Sequence, residues 1–480
     1  MKLTQEQKKI IESNAEITLI NAFAGCGKTS TLINFYKQRP QNTFLYLCYN
    51  TSMKKEADKK FTGSNIDVKT FHSLAYSAIG HKFKEKIERN EKLRVSNLKD
   101  FFPELEQYEI DLLLKSFTYF INSNLGENEF HKISFNIGGF YTKYLQKLWN
   151  LVCNENSSIP FEQDFYLKIY EQCNYKLNYD YILVDEAQDL NPVMLSLVMK
   201  QKARKVFVGD TYQKIYGFRN CIDALSDLKN LENAESFFLT QTFRCPQDIV
   251  DLANQYLFLA NSQKKLITQK EKTNETWSET ERYTFIARNN STIFLFLAEN
   301  PHLKIHFFGG VKKYNLTDIA DIARVFSTNE KSKEKIVNPL FKEKLNTKEK
   351  LLNFIKENPD EIDISSKLSA FYIAVSNEIN IFKVIRSIHH YKENECDVIV
   401  TTAHKSKGAE WDRVVLANDL LKVSMRDKIP SEEINLLYVA ITRAKSLLKN
   451  SEPYDIFSLL SDKPNQKEVL EEIKNNIYQI

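Results

Sequence analysis

The run Asn21-Ala22-Phe23-Ala24-Gly25-Cys26-Gly27-Lys28-Thr29-Ser30 follows the apolar residues Ile17-Thr18-Leu19-Ile20 and precedes Thr31-Leu32-Ile33-Asn34-Phe35-Tyr36. The first segment reads as a buried parallel strand and the last as a helix. A strand, a loop of small residues, Gly-Lys-Thr and a helix make a phosphate-binding loop. Triphosphate oxygens need many donors at close range. Backbone amides supply them only where no side chain blocks approach, which explains Gly25 and Gly27. The helix start adds positive partial charge. Ala22, Phe23, Ala24, Cys26 and Ser30 complete the cradle, Lys28 reaches the β/γ phosphates, and the Thr29 hydroxyl can ligate Mg²⁺. Ala22 stands where the strict pattern has Gly. Cys26 reads either as a reactive thiol beside Lys28 or as an inert buried one.

A second half of such a site lies downstream. Tyr181-Ile182-Leu183-Val184 is a strand running into Asp185-Glu186-Ala187-Gln188-Asp189. Asp185 is read as holding Mg²⁺ through water or Thr29, and Glu186 as polarising the attacking water. After the strand Val206-Phe207-Val208 comes Gly209 to Arg219, with Gln213 as a γ-phosphate sensor and Tyr216, Phe218 and Arg219 beside it. Aromatic faces stack bases whatever their identity. Thr240 to Pro246 carries Arg244, a candidate for stabilising charge on the transferred phosphoryl group, and Phe243, a platform for adenine. The amide of Gln7, on a short helix before the first strand, can read the adenine edge.

Around these motifs, strands and helices alternate. Thr43–Cys48 and Ile66–Lys69 are strands, and Asn50, Phe71 and His72 fall at their carboxyl ends, where parallel α/β sheets carry function. Residues 80–177 are mostly helical and look like an insertion. Their basic stretch, Lys82 to Arg94, reads as a solvated helix face or as a phosphate-tracking surface. A second α/β pattern begins near Tyr283, is interrupted by helical residues 311–395, and resumes at Val398. Glu432 to Lys445 reads as a helix presenting Arg443, and 451–480 as a charged amphipathic tail. At 480 residues the chain exceeds one core. Its 7 scattered cysteines make neither a disulfide framework nor a metal pattern, which fits a reducing cytoplasm. The polar start is not a signal peptide, and no apolar run is long enough to span a membrane. A net charge of +4 permits a nucleic-acid partner without arguing for one.

The ordered set Ala22 to Thr29, Thr70 to Ala75, Asp185 to Asp189, Gly209 to Arg219, Gln241 to Arg244, Thr402 to Trp411 and Tyr438 to Lys445 resembles the UvrD/Rep-type superfamily 1 DNA helicases. Within them it looks most like the F-box DNA helicase branch, on Leu239 to Arg244, Phe308 to Lys312 and Asn435 to Lys445, with no F-box-like segment before Leu3. The resemblance implies an α/β fold with two RecA-like motor domains, each carrying a helical insertion. They would cover 1–79 with 178–245 and 246–310 with 396–450, the insertions 80–177 and 311–395. It implies ATP, with Mg²⁺, between those domains, and 3′-to-5′ movement along single-stranded DNA, including tailed or forked duplexes, in repair, recombination or a related process. An accessory DNA-processing protein is a further expected partner. Gln213, Arg244 and Arg443 would contact the γ phosphate, and Glu410 the nucleotide. Asn50, Phe71, His72, Tyr216, Phe218, Arg219 and His404 would lie along the DNA. Phe243 replaces a usual Tyr, Phe218 a common Trp, and Phe35 an Arg. The second insertion, about 85 residues, is short for the family. The alternative reading is an ATP-switched DNA-binding scaffold.

Overall fold

The computed structural model describes residues 3–134, 142–215, 221–278, 280–357, 362–421 and 430–450. Tyr216, Phe218, Arg219 and the 451–480 tail lie outside the described residues. The chain divides into two compact units. One holds Met1–Arg244 with Ala260–Gln269, the other Cys245–Leu259 with Lys270–Ile480.

The first unit is built on a parallel sheet of β1 (Ile17–Ala22), β2 (Phe44–Cys48), β3 (Ile66–Thr70), β4 (Tyr181–Val184), β5 (Arg204–Gly209) and β6 (Ala234–Leu239), in the order β3-β2-β4-β5-β1-β6. All five residues of β2 and all four of β4 are buried. That is what a parallel strand covered on both faces requires, and it is why these segments read as unbroken apolar runs. The register places Asn21 beside Gly209, Ala22 beside Leu239, and Val184 beside Phe207. The ends of β1, β4, β5 and β6 therefore align, and the loops leaving them meet on one edge.

Between β3 and β4 the chain is mostly helical where described, and these helices share the sheet's core. Phe117, Phe120, Leu148 and Trp149 join Leu45, Leu47 and Ile182 in one buried cluster. Phe83 stacks on Phe161 at 4.3 Å. The insertion and its sheet thus share one apolar core, and the Phe83–Phe161 stack lies within the insertion. A two-residue pair unseen in the sequence, β7 (Gln241–Thr242) with β8 (Ile267–Thr268), ties the segment after β6 to a returning stretch of chain.

The second unit has β9 (Tyr283–Ala287), β10 (Ile305–Phe307), β11 (Val398–Thr402), β12 (Trp411–Leu416) and β13 (Ala444–Asn450) in the parallel order β10-β11-β9-β12-β13. The helix expected to carry Arg443 ends at Ile441, and β13 begins at Ala444, so Arg443 sits in the turn between them. Residues 311–395 are helical where described, and Ile319, Ile322, Leu368 and Phe371 share a core with Phe285 and Phe307 of the sheet. Among the described residues no single helix is long and apolar enough to cross a membrane.

Candidate active site

The phosphate loop leaves β1 and turns into α2 (Lys28–Lys37). Gly27 is the residue before the helix, left-handed at φ 79°, and no side chain caps the helix start. The first amides of α2 are therefore left to a ligand. Gly25 is also left-handed, at φ 73°. Its carbonyl accepts from Phe243 N at 3.0 Å, and a Cβ there would lie 2.5 Å from Thr242 Oγ1 and 2.6 Å from Arg244 Cβ. Glycine at this position lets the chain after β6 lie directly on the loop, which brings Phe243 and Arg244 beside it.

Gln7 arrives from α1 (Gln5–Glu12). Its Oε1 accepts from Thr4 N at 3.0 Å, closing a capping box, and its Nε2 donates to Thr31 Oγ1 at 3.2 Å. A Cβ on Gly27 would meet both Gln7 Nε2 and the Phe243 ring, at 3.1 and 3.6 Å. The polar and aromatic groups expected to bind adenine thus flank one glycine. Cys26 is 1% exposed, which favours the inert reading of its thiol.

Lys28 Nζ donates to both Glu186 carboxylate oxygens, at 3.0 and 3.1 Å. Burial pushes this ammonium down, but the carboxylates of Glu186, Asp185 and Asp210 outweigh it, and its pKa ends above the ordinary value. Asp185 accepts from Tyr46 Oη at 2.5 Å and from Glu186 N at 2.9 Å. Burial, and then Glu186, hold its carboxyl above the usual range. Glu186 itself is left-handed at φ 53°, a conformation that costs a non-glycine residue energy.

A hydrogen-bonded chain continues from Glu186. Gln188 Nε2 donates to Glu186 Oε2 at 2.5 Å, and its Oε1 accepts from Asp210 N at 3.0 Å. Asp210 in turn accepts from Gln213 Nε2 at 2.7 Å and Tyr212 N at 3.1 Å. A Cβ on Gly209 would come within 2.4 Å of Gln188 Oε1, so glycine there lets the two loops close. Lys28, Glu186, Gln188, Asp210 and Gln213 form one continuous polar chain. Gln188 and Asp210 lay inside motifs read from the sequence but received no role. Tyr46 lies within β2 and gave no signal.

Thr29 and Asp185 offer a hydroxyl and a carboxylate. Such hard oxygen donors fit Mg²⁺, which keeps several waters and takes one or two protein ligands beside phosphate oxygens. Among the described residues no group of three or more His, Cys, Asp or Glu could hold a metal on its own.

The residues expected along DNA separate into cases. Phe71 is a correction: it is 0% exposed and belongs to the core of the first unit, so its ring is not available to a base. His72, the next residue on α4 (Phe71–Ala78), faces outward, and its Nε2 bonds Asp164 Oδ1 at 2.9 Å. Asn50 is exposed and caps α3 (Thr51–Lys60) by accepting from Met53 N. A cavity of about 570 Å³ in this unit is lined by Tyr49, His72, Asp164, Asp189 and Asn191, among others.

In the second unit, His404 lies on the single turn Ala403–Ser406 after β11, and Glu410 is exposed just before β12. The Arg443 guanidinium donates to Val439 O at 2.9 Å, Ala409 O at 3.0 Å and Thr442 Oγ1 at 3.3 Å. Arg443 and Glu410 are thus neighbours, the arginine held rigidly by its own turn.

An AAA-domain family model matches residues 7–219, and a UvrD-like helicase C-terminal domain model matches 310–451. The chain is 28% identical over 512 residues to F-box DNA helicase 1 of Gallus gallus, covering 94% of this chain and 49% of that protein. It is 30% identical over 511 residues to F-box DNA helicase protein 1 of Schizosaccharomyces pombe, covering 93% and 57%. It is 26% identical over 311 residues to the ATP-dependent DNA helicase PcrA of Leuconostoc citreum, covering 56% and 41%. The chain therefore spans about half the length of the curated relatives it matches. The chain thus carries an AAA domain with the phosphate loop and a UvrD-like helicase C-terminal domain after it, and it is homologous to F-box DNA helicases and to PcrA/UvrD-type helicases, whose motor domains are RecA-like phosphate-loop folds.

Proposed function

We propose that the chain is an ATP-driven motor that moves 3′ to 5′ on single-stranded DNA and separates duplexes or displaces bound proteins. The observation that carries this reading is the polar chain from Lys28 through Glu186, Gln188 and Asp210 to Gln213. A mere nucleotide-binding switch needs the Lys28 loop. It does not need a water-polarising acid wired to a γ-phosphate sensor.

Before nucleotide arrives, Lys28 neutralises Glu186. Binding ATP draws the ammonium to the phosphates and frees the carboxylate to orient water. Gln188 keeps Glu186 in its strained backbone setting and reports its position to Asp210 and Gln213. Thr29 and Asp185 would hold Mg²⁺, which would supply positive charge to offset that of the phosphates. Phe243 and Gln7 would hold the base, and Arg244 would stabilise charge on the transferred phosphoryl group. His72, Asn50 and His404 contact the strand. The biological setting is DNA repair, recombination or a related process, with other DNA-processing proteins as partners.

Duplexes with single-stranded tails of either polarity test the claim. Unwinding with ATP is expected from a 3′ tail and not from a 5′ tail. Unwinding from 5′ tails alone, or neither unwinding nor displacement of a protein bound to the strand, contradicts the motor as stated.

A further inference from the structure

We propose that the Tyr46 hydroxyl is a positioning group for the metal site: it fixes the Asp185 carboxylate in advance, so that Mg²⁺ can add to the binding of nucleotide. The proposal deepens the reading of Thr29 and Asp185 given above and rests on it. It assigns a role to a residue that none of the motifs contains.

Tyr46 is the middle residue of β2, all of which is buried. Side chains alternate across a strand. Leu45 and Leu47 face the core shared with the helical insertion, and Tyr46 faces the other way. There its ring lies 4.5 Å from that of Phe61, the residue after α3. A phenylalanine would fill the same space. A hydroxyl taken from water costs free energy unless it finds a partner. The partner here is Asp185, whose Oδ2 accepts from Tyr46 Oη at 2.5 Å. A phenol ionises near pH 10, so at neutral pH it donates.

The sheet itself holds this contact. β2 and β4 pair with Tyr46 beside Leu183 and Leu47 beside Val184. The ladder continues one step further, with Asp185 N donating to Leu47 O at 3.1 Å. One strand pair therefore sets both the donor and the backbone of its acceptor. Asp185 Oδ1 accepts from Glu186 N at 2.9 Å, so each carboxylate oxygen has its own donor. Two donors on two oxygens fix the carboxylate plane. Each oxygen keeps a further lone pair for a metal ion or its water. A ligand ordered before the ion arrives loses little freedom when the ion binds. Removing a hydrogen-bonded partner of this kind typically costs about 10–100-fold in metal affinity.

Equilibrium titration of the full chain with a fluorescent ATP analogue, in saturating Mg²⁺ and again in EDTA, tests this. The ratio of the two affinities reads the contribution of the metal. Tyr46→Phe keeps the ring and removes the donor. Its affinity in EDTA should match wild type, and the ratio should fall about tenfold or more. Asp185→Asn should lose the ratio by itself, and adding Tyr46→Phe to it should change the ratio no further. With fluorotyrosine placed at residue 46, the fluorine resonance should move when Mg²⁺ joins the nucleotide complex.

A ratio in Tyr46→Phe unchanged from wild type overturns the proposal. So does an equal loss of affinity with and without Mg²⁺, the mark of a merely structural hydroxyl. If the Phe protein fails to fold, a fluorine resonance that ignores Mg²⁺ overturns it instead. A wild-type protein that binds nucleotide equally in Mg²⁺ and EDTA sinks the metal reading of Thr29 and Asp185 itself.

Discussion

Replacing Glu186 by Gln should separate binding from hydrolysis in opposite directions. In the ligand-free site Glu186 holds the Lys28 ammonium through both oxygens at 3.0 and 3.1 Å, with side chains only 15% and 16% exposed. At an effective dielectric near 20, unit charges about 3 Å apart attract by roughly 5 kcal/mol. Much of that offsets the cost of keeping both groups from water, and Asp185 and Asp210 still attract Lys28 in the variant. About 1–2 kcal/mol should remain as attraction that ATP no longer has to break. That corresponds to about five- to thirtyfold tighter nucleotide binding. The amide cannot polarise water, so turnover should drop by about 10²–10⁴-fold. Equilibrium titration with a fluorescent ATP analogue reads the first effect, and phosphate release reads the second. Weaker nucleotide binding in Glu186→Gln, or turnover near wild type, would show that Glu186 neither competes for Lys28 nor serves the water.

Two further outcomes follow from the same loops. Burial holds the Asp210 carboxyl up at about 6. Between the ordinary aspartate value near 4 and that pKa, the folded state binds more protons than the unfolded chain, so stability from this group is full below about 4 and lost as pH rises through about 6. Thermal melts across that window should show Asp210→Asn gaining on wild type by up to about 3 kcal/mol as pH rises; a difference flat with pH contradicts the assignment. Gly25→Ala places a Cβ against Thr242 and Arg244 in a left-handed conformation, so it should lose roughly 1–3 kcal/mol of stability together with nucleotide binding. A wild-type melting temperature in that variant would mean the close approach is not tight.

Much of the chemistry was legible because it sits in contiguous segments. A phosphate loop needs its glycines and lysine within a few residues, and paired carboxylates announce themselves at the end of an apolar strand. The two sheets could be read for the same reason, since strands buried on both faces leave unbroken apolar runs. What escaped depends on direction or on distance along the chain. Phe71 and His72 are adjacent at the start of one helix, and only packing decides which points to the core and which outward. Tyr46 reaches Asp185 across 139 positions. Gln188 and Asp210 gain their roles only because β4 and β5 are neighbours in register. The β7–β8 pair is two residues long, too short to leave a periodicity. β13 was hidden by the preceding helix, whose apolar pattern runs up to the turn that holds Arg443.

The most direct measurement is steady-state ATP hydrolysis by the full chain, with and without single-stranded DNA, beside Lys28→Ala. Turnover should rise steeply when the DNA is added and vanish in the variant. Hydrolysis that ignores DNA, or that survives loss of the Lys28 ammonium, would contradict a motor driven from this site.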